Sequence, residues 1–108
     1  MKINDKKIVK RWNSVMKTIG CEHISLDPYY SELEDCKDYW GIEDGISAKW
    51  MLKEAKYWLS CYYESGNCRC DDRFIDKENY KIWVQETSVL KRLIARLEKM
   101  ENIMVVEW

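Results

Sequence analysis

Two pairs of side chains in this 108-residue sequence have metal-ligand chemistry at close spacing: Cys21 with His23, and Cys68 with Cys70. Three thiolates and one imidazole form a donor set that tetrahedral zinc accepts. Zinc clips, however, are usually spaced by two to four residues, and each pair here is separated by only one. The favoured reading is therefore four ordinary side chains with reduced thiols and no cofactor. A small zinc-stabilised domain held by Cys21, His23, Cys68 and Cys70 is the alternative. Arg69 and Arg73 flank the Cys68–Cys70 pair, and such neighbours lower a thiol pKa. No βαβ pattern of a thiol oxidoreductase surrounds the pair.

Other catalytic chemistry finds little material. The chain has one histidine. Asp71, Asp72 and Asp76 are carboxylates close enough in sequence to hold a divalent cation. No glycine-rich phosphate loop and no His-Glu-x-x-His motif accompanies them. Asp76 also stands where a helix needs its N-cap. The chain is not expected to be an enzyme.

Binding is better supported. Six tryptophans and seven tyrosines are more than a core of this size readily encloses. These residue types dominate interface hot spots because they bury large area with few rotors. Tyr29, Tyr30, Trp40, Trp50 and Tyr57 are the members expected to lie partly outside the core. Net charge is −1, but the charges are segregated. Residues 1–20 hold six bases and one acid, for +5, and residues 27–44 hold seven acids and one base, for −6. Glu34, Asp35 and Asp38 in the acidic stretch would ring an aromatic patch and attract a basic partner. The same segregation also suits two faces of one chain compensating each other. The basic face of the first helix, with Arg92, Arg96 and Lys99, offers phosphate contacts. The acidic stretch would repel that ligand, so direct nucleic-acid binding is not expected.

These residues are carried on segments with helical periodicity. Residues 4–19, capped by Asn4 or Asp5 and stopped by Gly20, place Ile8, Trp12, Val15 and Ile19 on one face. Asp27-Pro28 opens a second helix over 28–39. Gly41 to Gly45 reads as a turn. A third helix over 47–64, capped by Asp44 or Ser47 and ended by Gly66-Asn67, aligns Met51, Ala55, Trp58 and Tyr62. Trp50, Tyr57 and Cys61 form a lateral stripe that needs a cover. A fourth helix over 77–101 repeats Trp83, Leu90 and Leu97 every seven residues, a spacing that also suits self-association into a homodimer. Residues 68–74 and 103–108 have propensity for a short β element. The expected fold is all-α, one domain over 1–108, packed as an irregular four-helix bundle. No apolar run approaches the ~20 residues of a membrane span. The basic start Met1–Lys7 lacks an apolar signal core behind it. The expected location is the cytosol.

The run from Trp50 to Phe74, together with Tyr80-Lys81-Ile82-Trp83-Val84-Gln85-Glu86-Thr87 and Leu90-Lys91-Arg92-Leu93-Ile94, resembles small accessory proteins of bacterial phages and other mobile elements. These segments cover about a third of the chain. The resemblance implies a gene class rich in single-domain inhibitors of host defence, such as anti-CRISPR proteins. Those act stoichiometrically by covering a surface on a defence enzyme in the host cytosol. The resemblance carries no functional residue over. The expected function is a non-catalytic protein-interaction module that binds and inhibits another protein, one candidate being a basic nucleic-acid-binding defence enzyme.

Overall fold

The computed structural model describes residues 2–19, 26, 44–64, 77–100 and 102–107. In chain order these form β1 (Lys2–Ile3), α1 (Lys6–Thr18), β2 (Gly45–Ser47), α2 (Ala48–Trp58), a π-helical turn (Leu59–Glu64), α3 (Lys77–Glu98) and β3 (Met104–Glu107). The described residues are thus mostly helical, with three helices and one three-stranded sheet, rather than all-α. The expected helix over 28–39, the β element at 68–74 and the caps Gly20, Gly66-Asn67 and Asp76 lie outside the described residues. So does the side chain of Tyr62.

Each described helix begins where local chemistry allows. The Asp5 carboxylate accepts from the Ile8 N–H at 3.1 Å, satisfying a donor that the first turn of α1 leaves open. The Ser47 hydroxyl does the same for the Trp50 N–H at 3.1 Å. Apolar residues at helical spacing then set the buried faces. Ile8, Val9, Trp12, Val15 and Met16 of α1 are buried. Ala48, Met51 and Ala55 of α2 join them, as do Leu90, Leu93, Ile94 and Leu97 of α3. Leu26 also belongs to this core, and its N–H donates to the Asn13 Oδ1. The α3 helix ends at Glu98, three residues short of the expected 101. A turn follows, in which the Met100 N–H donates to the Leu97 carbonyl and the Ile103 N–H to the Met100 carbonyl.

That turn delivers β3 to the centre of an antiparallel sheet in the order β1-β3-β2. Ile3 and Ile46 both lie opposite Val106, one on each side, making an apolar row across three strands. Successive strand residues point to opposite faces, and Val105 and Val106 are both buried, so both faces of β3 are covered at its middle. The Asn4 N–H donates to the Val105 carbonyl, and the Ala48 N–H to the Ile103 carbonyl, each at 2.8 Å. The Asn4 amide also donates to the Met104 carbonyl and to Glu107 Oε1, both at 3.0 Å. Asn4 is therefore a strand anchor rather than a helix cap.

Gly45 is the one position where the sheet demands glycine. Its φ is +141°, and a Cβ there would lie 2.0 Å from the Val106 carbonyl oxygen. The residue expected as the end of a turn is instead the close-contact residue of β2. Gly45→Ala should destabilise the fold by at least ~2 kcal/mol, through backbone strain and the clash with a neighbouring strand. Thermal denaturation followed by circular dichroism should show Tm falling by about 10 °C or more.

Candidate functional site

The described surface concentrates its unusual residues on α2. Lys49, Lys53 and Lys56 recur at i, i+4 and i+7, which puts them in one ridge. Trp50 and Tyr57, seven residues apart, run along one flank of that ridge, and Leu52 lies on the other. The inward side of the same helix is locked in the core by Ala48, Met51 and Ala55, so α2 presents this ridge to solvent. Ser47, Lys49, Trp50, Leu52, Lys53 and Lys56 line an open groove of about 560 Å³.

Trp50 is half-buried, and its ring lies 6.1 Å from that of Trp12, tilted by 44°. Trp12 is fully buried. Trp50 thus has two roles: one part of the indole seals the seam between α1 and α2, and the rest floors the groove. Tyr57 differs. It is 56% exposed, the most exposed large apolar side chain among the described residues. Its ring makes a T-shaped contact with that of Trp58, at 5.9 Å and 88°. Cys61 continues the row and is exposed. Lys56 forms an ion pair with Glu98 of α3 at 3.6 Å. Both side chains are more than half exposed, so the pair adds little stability, but it ties the ridge to its neighbour.

Of the sequence-level binding residues, Trp50 and Tyr57 are brought to this face. Tyr29, Tyr30, Glu34, Asp35, Asp38 and Trp40 lie outside the described residues. Cys21, His23, Cys68 and Cys70 lie outside them as well. Among the described residues, no group of three or more His, Cys, Asp or Glu side chains converges as a metal cage. Among the described helices, none is long and apolar enough to cross a membrane. Of the lateral stripe expected at Trp50, Tyr57 and Cys61, Trp50 is half-buried and Tyr57 and Cys61 are exposed. The described indoles of Trp12, Trp50, Trp58 and Trp83 are buried or half-buried, and it is tyrosine that stands out, at Tyr57 and Tyr80. The seven-residue row offered for homodimerisation is also spent internally, since Leu90 and Leu97 are fully buried.

The lysine rim was the unread part of the site. Its signal was present: three lysines at helical spacing beside a tryptophan. A lysine row, however, is the ordinary composition of any solvated helix face. Only the groove between Trp50 and Leu52 gives the row a floor. Comparison with protein-family models, with curated proteins and with solved structures found no match.

The division of labour between the two aromatic residues predicts a split in stability. Trp50→Ala should cost about 2–3 kcal/mol, because it also opens the Trp12 contact. Tyr57→Ala should change stability by no more than about 0.5 kcal/mol. Urea denaturation of the two variants measures the difference.

Proposed function

We propose that this chain is a non-catalytic protein-interaction module whose α2 face docks an acidic surface of a partner protein. The observation that carries the reading is the single row of Lys49, Trp50, Lys53, Lys56 and Tyr57 on a helix whose opposite side is committed to the core. Trp50 and Tyr57 supply rigid apolar area, and the lysines supply a cationic rim that speeds encounter with negative charge. What this face offers a partner is area and charge. Its polarity favours an acidic partner surface. The Tyr29–Trp40 acidic stretch, by contrast, would suit a basic partner such as a nucleic-acid-binding enzyme.

The wider reading is an accessory protein of a mobile element that inhibits a host defence protein in the host cytosol, as anti-CRISPR proteins do. It rests on the resemblance of Trp50–Phe74 and Tyr80–Ile94. A stoichiometric inhibitor needs a stable scaffold with one adhesive face, and α2 is supported in that role by its locked inner side.

Tyr57→Ala and Lys53→Glu separate docking from folding, since both side chains are exposed. Quantitative pull-down from host lysate with wild-type chain and each variant should show one or more proteins depleted at least tenfold in both variants. That corresponds to about 1.4 kcal/mol or more of lost binding. Equal recovery by wild type and both variants would remove the α2 face from the function.

A further inference from the structure

A second charged surface lies away from the α2 ridge. The solvent side of α1 holds Lys6, Lys7, Lys10, Arg11 and Lys17, and no acid occurs within the helix. On α3, Arg92 and Arg96 follow Val89 at i+3 and i+7, so the three share one side of that helix. The fold brings the two sets together. Lys7, Lys10, Arg11, Ser14 and Val15 of α1 line a groove with Val89 of α3. Arg92 and Arg96 extend the Val89 side, and both are exposed. A neighbouring groove pairs Thr18 with Ile82, Gln85, Glu86 and Val89, which fixes the relative course of the helices: the end of α1 meets the first half of α3. The cations therefore concentrate toward the other end, where Lys7, Lys10 and Arg11 approach Val89. Among the described residues, no carboxylate forms an ion pair with Lys7, Lys10, Arg11, Arg92 or Arg96.

We propose, against the expectation drawn from the acidic stretch 27–44, that this α1–α3 groove, which no acidic side chain lines among the described residues, binds the phosphate backbone of a nucleic-acid duplex without sequence preference. The groove is lined by three cations, Lys7, Lys10 and Arg11, over a small apolar floor of Val15 and Val89, and Arg92 and Arg96 lie beyond it on the Val89 side of α3. Charge complementarity selects a polyanion. Three features select a duplex among polyanions. The cations rim a groove between two helices, which a phosphate ridge enters and a flat lipid surface does not. The apolar face of α1 is consumed by the core, so α1 has no hydrophobic side to insert into a bilayer. Among the described residues, the floor holds no aromatic ring on which unpaired bases would stack, unlike single-strand platforms. The α1 helix is about 20 Å long, close to the axial span of six phosphates on one strand. Phosphate contacts of this kind position a duplex and carry no sequence information. The surface uses none of the α2 residues, so it stands or falls separately from the protein-docking reading.

The test is fluorescence anisotropy with a random-sequence 20-base-pair DNA duplex, titrated at several salt concentrations. Wild type should bind in the micromolar range at low salt, with log K falling against log salt at a slope of about −4.5 for five phosphate contacts. Lys7→Ala/Lys10→Ala/Arg11→Ala should reduce that slope to about −1.8, and Arg92→Ala/Arg96→Ala to about −2.7. Lys49→Ala/Lys53→Ala/Lys56→Ala should leave the slope unchanged. All substituted side chains are exposed, and circular dichroism checks that each variant is folded. Absence of duplex binding by wild type, or a slope that neither groove variant changes, overturns the proposal. So does binding to phosphatidylserine vesicles in preference to the duplex, which would assign the surface to a membrane.

Discussion

The structure depends on one four-residue strand. Met104–Glu107 is the only described segment that touches both β1 and β2, and it joins parts of the chain separated by about half its length or more. Its Val105 carbonyl accepts from the Asn4 N–H just before α1 begins, and the carbonyl of Ile103, the residue that leads into the strand, accepts from the Ala48 N–H where α2 begins. Two helix starts are thus fixed in space by one strand, each within a few residues of a side-chain cap. Two strands alone would be marginal in water; the third strand and the helices over Val105 and Val106 make the sheet stable. The close approach at Gly45 follows from the same arrangement, since β2 must lie hard against the Val106 carbonyl to complete the third strand.

Once the helix starts are fixed, the helix faces have little freedom. The buried stripes of α1, α2 and α3 meet in one core that includes Trp12, Met51 and Leu90. The polar residues left outside are predominantly cationic on α1 and on α2. The two cationic surfaces differ in what lies between the charges. On α2 it is an indole and an exposed phenol, which suit a protein surface. Between α1 and α3 it is two valines in a cleft, which suit a ridge of phosphates. Chemistry between the charges, more than charge itself, separates the two proposals.

Much of the helical architecture was readable in advance, because three of the four expected helices repeat their apolar residues every three or four positions for three turns or more. Ile8, Trp12 and Val15 of α1, and Leu90, Leu93 and Leu97 of α3, are on the side that their spacing indicates. The strands were less legible. Lys2–Ile3 and Gly45–Ser47 are too short to display an alternating pattern, and a strand of two residues exists only because a partner is beside it. The C-terminal strand was one of two places where residue types favoured a short β element, and no local pattern named its partner strands. The spacing of Trp50 called for a cover, from another helix of this chain or from another protein, and Trp12 supplies part of it. That contact is remote in sequence, and no local pattern announces it.

The sequence by itself determined the three described helices, their inward faces, a pair of cap candidates for each of the first two, and the segregation of charge, because each of these follows from neighbours within about four residues. Only the tertiary structure decided which strands pair, which candidate caps each helix, why position 45 must lack a side chain, that Trp50 is shared between core and surface, and that Lys7 and Arg11 share a groove with Val89. These depend on packing between segments far apart along the chain. Their positions follow from β3 and the common core, and neither is encoded in any single stretch.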